Sequence, residues 1–171
     1  MPRWPGNAGS YLIGGVRMRA NALCRAVLIA AALASAPAGA VDREAEDGMA
    51  AALELLQARQ RIAAEDYAAA EVLLLAAVAR TPADPDIHSL LGFCARKQGR
   101  LDESYGHYRT ALRLDAGHLG AREYLGELFL QRGQPELARA ELRELERLCP
   151  QGCEERAELA EAIASFEAAA P

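Results

Sequence analysis

The chain has 171 residues, 51% hydrophobic and 25% charged, with 24 acidic against 19 basic side chains and a formal charge of −5. That balance argues against a nucleic-acid partner, because binding to phosphate backbones needs clustered Lys and Arg. The length admits one compact unit and is too short for two ordinary domains.

At the N-terminus, Arg19 and Arg25 precede an apolar run from Ala26 to Ala34, then Pro37 and the small-residue site Ala38, Gly39, Ala40. This order predicts a secretory signal over residues 1–40, cleaved after Ala40, with delivery to an oxidising compartment such as a bacterial periplasm. The run is short of the roughly 20 apolar residues a membrane span needs, so a retained anchor is the weaker reading and the only route to a membrane. Residues 1–17 sit awkwardly before a basic segment, which suggests translation from Met18. The mature chain, 41–171, would keep 15 basic against 24 acidic residues, a formal charge of −9, and would lose Trp4, the one tryptophan.

From residue 51 onward the sequence repeats itself at an interval of 34. Leu91 and Gly92 return as Leu125 and Gly126, Gly99 as Gly133, and Pro82 as Pro150; Ala70, Ser104 and Ala138 align, as do Leu74, Tyr108 and Leu142. The first unit, 51–84, fits at Ala58, Ala70, Leu74, Ala77 and Pro82, but has Gln57 and Arg61 at apolar positions and Glu65 where the turn glycine belongs. Two arrangements fit its opening helix: a one-residue shift that turns Leu55, Ala58 and Ile62 inward, or a terminal cap with a wet outer side. The cap is preferred, since end repeats need polar outer faces.

In the second unit, 85–118, helical spacing predicts a helix over Asp86–Lys97, a turn at Gln98, Gly99 and Arg100, and a helix over Leu101–Leu114. Gly99 supplies the left-handed residue past a helix end, and Gly92 allows the hairpin's two helices close approach. The third unit, 119–152, repeats the plan, with Pro135 in the first turn of its second helix, where a missing donor costs nothing. Glu154–Ala168 then forms an amphipathic closing helix within about 153–168, its stripe made by Leu159, Ile163 and Phe166. Alanine is abundant throughout and no apolar alternation suggests a strand.

The order Leu91, Gly92, Gly99, Ser104, Tyr108, Ala111, echoed by Leu125, Gly126, Phe129, Gly133, Ala138, Leu142 and Pro150, resembles the tetratricopeptide repeat. The resemblance implies an all-α, right-handed solenoid of three helical hairpins plus a C-terminal capping helix, and a non-enzymatic module that binds another protein. It also implies that the first helices of successive repeats line a concave groove, here through Arg59, then Ser89, Phe93, Arg96 and Lys97, then Glu123, Glu127 and Leu130. Phe93 would be an exposed apolar anchor, and Arg96 or Lys97 would take a carboxylate from the partner. The Lys and Asn set with which some relatives clamp the carboxyl terminus of chaperones is absent at those positions. Three repeats make a short groove, suited to a small partner surface or to self-association into a homo-oligomer.

Candidates for chemistry are few. Cys149 and Cys153 flank the join to the closing helix, and in an oxidising compartment they are expected to form a disulfide. The competing reading is a thiol redox or copper(I) site, which their spacing disfavours because three residues intervene rather than two. Cys94 is expected to be a buried apolar residue and Cys24 to leave with the signal. His88, His107 and His118 sit apart along the chain, and no pair is expected at ligand spacing. No catalytic residue, cofactor or metal is assigned.

Overall fold

The computed structural model describes residues 38–169, with side chains from residue 43 onward. The apolar run Ala26–Ala34, Trp4 and Cys24 lie outside them. The chain divides at Val41, and the fold is that of the unit from Asp42 onward. Its helices are α1 (Ala38–Ala63), α2 (Tyr67–Arg80), α3 (Pro85–Lys97), α4 (Leu101–Leu114), α5 (Leu119–Gln131), α6 (Pro135–Leu148) and α7 (Glu154–Ala168). No strand occurs among the described residues.

Local chemistry sets the helix ends. Asp84 precedes Pro85, and its carboxylate accepts from the N–H groups of Asp86 at 2.9 Å and Ile87 at 3.3 Å; Asp66 does the same for Ala69 at 3.2 Å. Those bonds satisfy donors that a helix start leaves without partners. The hairpin turns each need one left-handed residue, and these fall at Glu65 (φ 57°), Gly99 (φ 79°) and Gly133 (φ 69°). The spacing is 34 both times, so the turns keep register, although α1 turns Leu55, Ala58 and Ile62 inward as the shifted arrangement expects.

α3 and α4, and α5 and α6, form successive hairpins, and α7 packs on both helices of the last; α1 and α2 pair through the first core cluster and Arg80. Small residues make the close contacts possible. A β-carbon added at Gly92 would lie 2.6 Å from the ring of Tyr108 on the partner helix α4. At Gly126 the obstacle is Leu159 of α7, also at 2.6 Å, so this glycine makes room for the closing helix rather than for its own hairpin partner. One core cluster joins the first repeat to α3 through Ala58, Leu74, Ala77, Ile87 and Leu91; a second joins α4, α5, α6 and α7 through Tyr108, Leu125, Leu145, Leu159 and Ile163.

The opening repeat differs from expectation in two ways. α1 begins at Ala38, well before residue 51, and its upstream portion is tied to α2 by Arg80, which reaches Asp47 at 3.0 Å and Glu54 at 3.5 Å. Its outer side is only partly wet. Leu55 and Ile62 pack inward around buried Ala58, while Gln57 and Arg61 are exposed. Yet Met49, Leu53 and Leu56 are exposed as well, at 78%, 55% and 56%. Leu53 and Leu56 sit one repeat before Ile87 and Leu90, which are buried against the first repeat. They therefore occupy the face that a preceding repeat would cover.

Candidate binding groove

The first helices of the repeats, α1, α3 and α5, are stitched together side by side. Asp86 on α3 is the central stitch: it accepts from Arg59 on α1 at 2.8 Å and from His118, at the start of α5, at 2.9 Å. His118 is also the N-cap of α5, its Nδ1 accepting from the Ala121 N–H at 3.0 Å. With Nδ1 an acceptor, Nε2 carries the proton and donates to Asp86. Farther along, Arg96 on α3 forms an ion pair with Glu127 on α5.

α7 folds back against α5 and raises a second wall. Between the walls lies a cavity of about 470 Å³, lined from α1, α3 and α5 by Arg59, Ser89, Glu123 and Tyr124, and from α7 by Glu154, Glu155 and Glu158. It adjoins another of about 460 Å³ where Phe93, Arg96, Lys97 and Glu127 face Glu161 and Ser165. Glu123 and Tyr124 line both, so the two are parts of one groove.

The aromatic residues form its middle. Phe93 lies 4.9 Å from Tyr124 and 6.0 Å from Tyr67, centroid to centroid, and the Arg96 guanidinium and Lys97 ammonium each stand 5.4 Å from its ring. Phe93 is thus half-buried, an aromatic shelf with one open side rather than a free anchor. Lys97 is exposed and has no carboxylate partner among the described residues.

Four predicted groove residues have other duties. Ser89 is buried and only borders the cavity. Leu130 is buried in the second core cluster and reaches the groove only as part of its floor. Arg96 is nearly covered and spent on Glu127, so it is not free to receive a partner's carboxylate. Arg59 is likewise engaged with Asp86, although it stays accessible.

Glu123 is the most perturbed group in the groove. Only 5% exposed, it is pushed up to about 8, first by burial and then by the adjacent carboxyl of Glu158 and the charges of Glu127 and Glu155. A buried carboxyl surrounded by acids keeps its proton at neutral pH. Asp86, Tyr67, Tyr124 and Glu158 were not singled out from sequence as groove residues, and His118 was weighed only as a metal ligand. A signal for Asp86 and His118 existed: complementary side chains set about one repeat apart.

Away from the groove, two histidines far apart in sequence become neighbours. The rings of His88 and His107 lie 5.9 Å apart, brought together because α3 and α4 are hairpin partners. Burial and the neighbouring His88 both lower the His107 pKa. Among the described residues no group of three or more His, Cys, Asp and Glu is placed to hold a metal ion. Cys94 is fully buried and its thiol is pushed up to about 12 by burial, which makes it an inert core residue. Cys149 ends α6 and Cys153 begins α7; they are joined sulfur to sulfur across a Cα separation of 6.0 Å.

The sequence model of the tetratricopeptide repeat matches residues 55–118 and again 106–152. The chain belongs to the tetratricopeptide repeat family. No curated protein matches its sequence. Among solved structures, the chain is similar to the Arabidopsis OM64 tetratricopeptide repeat domain (TM-score 0.62, 12% identity, 70% of this chain and 98% of that one). It is also similar to the first such domain of Spaghetti (RPAP3), bound to the HSP90 peptide SRMEEVD (0.61, 13%, 70% and 95%). A third is the Yersinia enterocolitica type III secretion translocator chaperone SycD in complex with a peptide of the translocator YopD (0.58, 21%, 68% and 88%). At these identities the likeness establishes the tetratricopeptide repeat fold and leaves the groove's chemistry to be read from its own side chains.

Proposed function

We propose that the protein is an exported, non-enzymatic adaptor that docks one protein partner in the groove between α5 and α7. The observation that carries this is the groove's unfinished wall: a half-open Phe93 shelf with unpaired Lys97 at its edge, facing unpaired Glu158 and Glu161. Aromatic surface flanked by uncommitted charge is the composition of a docking site. Relatives of this fold hold peptides, which supports a protein ligand over a small molecule. An acidic tail such as SRMEEVD would meet carboxylates here, and the clamp residues for it are absent. Export follows from the signal predicted at residues 1–40, and the join of Cys149 to Cys153 suits an oxidising compartment.

Co-purification from the cell envelope tests the docking site, using wild type beside a Phe93→Ala, Lys97→Glu double variant. Loss of a specific partner in the variant is expected, and equal recovery overturns the groove assignment. Mass spectrometry of the purified N-terminus tests export, with Val41 expected as the first residue.

A second reading, self-association, is favoured by Met49, Leu53 and Leu56 on the uncovered end of the solenoid. Apolar side chains at repeat-packing positions are suited to bury against another copy. Light scattering decides it: a dimer that Leu53→Lys with Leu56→Lys converts to a monomer supports the reading, and a monomeric wild type removes it.

A further inference from the structure

We propose that the α5–α7 end of the groove is a socket for a single lysine or arginine side chain of the docked protein segment, seated between Glu123 and Glu158. This rests on the groove reading above and assigns the partner's charge.

The first support is the inventory of charge. Glu123, Glu154, Glu155 and Glu158 line one cavity, and none of them has a cationic partner among the described residues. The cations nearby are committed elsewhere, Arg59 to Asp86 and Arg96 to Glu127, while the neutral His118 ring donates to Asp86. The protein thus neutralises its own groove at the α1–α3 end and leaves the α7 end negative.

The second support is the burial of Glu123 itself. It is more than nine-tenths buried, it borders both parts of the groove, and no N–H group or cation reaches its carboxyl among the described residues. Its one hydrogen-bonding neighbour is another acid, the Glu158 carboxyl, and the charges of Glu127 and Glu155 act on it too. Buried carboxyls in folded proteins are paired or receive hydrogen bonds from donors, since an unmatched one costs a large part of its hydration. Glu154 and Glu155 have a local explanation at the positive end of α7, whereas Glu158 lies beyond the first turn and Glu123 is on another helix. A guanidinium or ammonium entering between Glu123 and Glu158 would replace the carboxyl-to-carboxyl hydrogen bond with N–H donors to both and displace the proton that Glu123 keeps.

The surroundings suit the stem of such a side chain as well as its head. Tyr124 borders the slot and Phe93 lies beside it, so the methylenes of Lys or Arg would run over aromatic faces while the charge reaches the acids. A bare divalent cation fits less well, because the carboxylates do not converge at metal-holding distances.

The test is an NMR titration of the purified protein with three blocked pentapeptides, four alanines around a central arginine, glutamine or glutamate. The arginine peptide is expected to shift the amides of Glu123, Tyr124 and Glu158 saturably in the millimolar range, with the other two at least tenfold weaker. E158Q, which alters an exposed residue and leaves the core intact, is expected to weaken arginine binding about tenfold, and E123Q likewise. Equal shifts from the arginine and glutamine peptides would overturn the socket while leaving the groove in place. No shift from any peptide, or unchanged affinity in E158Q, would also overturn it. The docking reading stands or falls separately, on recovery of the partner by the Phe93→Ala, Lys97→Glu variant.

Discussion

Tyr108 on α4 lies directly over Gly92 on α3, so close that a β-carbon on Gly92 would come within 2.6 Å of its ring. The contact sets the spacing of the central hairpin, and with it the position of Phe93 and Arg96 one and four residues on. Gly92→Ala is therefore expected to destabilise by about 2 kcal/mol, the cost of overpacking a fully buried aromatic. Gly106→Ala, on an exposed stretch of α4 with nothing within 4 Å, is expected to stabilise by about 1 kcal/mol through helix propensity alone. Urea denaturation of the two variants checks both signs at once.

The first hairpin turn holds Glu65 at φ 57°, where the other two turns hold glycine. A side chain in this region costs on the order of 1 kcal/mol, and Glu65 is exposed with no role in the core. Glu65→Gly is expected to raise the melting temperature by a few degrees, and Glu65→Val to lower it. Calorimetry distinguishes them.

Titration of the groove should be visible in stability. Because the folded-state pKa of Glu123, about 8, lies well above the ordinary carboxyl range, the native state holds a proton that the unfolded chain releases. Its contribution is fully present below the unfolded value and is lost as pH rises toward 8, at on the order of 1 kcal/mol per pH unit. His107 acts oppositely: its lowered pKa means stability falls as pH drops below the ordinary histidine range. Melting curves from pH 5 to 9 should flatten on the alkaline side in Glu123→Gln, and a slope identical to wild type would contradict this assignment.

Thiol counts test the join at α6 and α7. In denaturant without reductant, protein lacking residues 1–40 should show one reactive thiol, Cys94, and three after reduction. Cys153→Ser is expected to cost about 2 kcal/mol by the loop-length relation, measured as a lower denaturation midpoint.

Much of this architecture is legible in the chain because its causes are local. Asp84 before Pro85, Gly99 and Gly133 after helix ends, and Leu159 with Ile163 along one stripe each determine their segment from neighbours a few residues away. α3 and α7 accordingly run within a residue of where their patterns place them. The groove is less legible because it is built from pairs one repeat apart, where local spacing says nothing about which partner wins. Arg96 could have pointed outward, but Glu127 lies across from it and takes its charge. Glu123 and Glu158 meet only because α7 folds back onto α5, a packing choice that Gly126 permits and no motif announces. The apolar outer side of α1 was missed for a different reason: the expectation that end repeats are wet fits Gln57 and Arg61 and fails at Leu53 and Leu56.

The central claim is that the partner docks in the groove between α5 and α7, and site-specific photocrosslinking in intact cells tests it most directly. A photoreactive phenylalanine analogue would replace Lys97 or Glu158 in the groove, with exposed Arg113 on α4 as the control position. The account predicts one discrete adduct shared by the Lys97 and Glu158 positions and none from Arg113. An adduct from Arg113 with none from either groove position would contradict it.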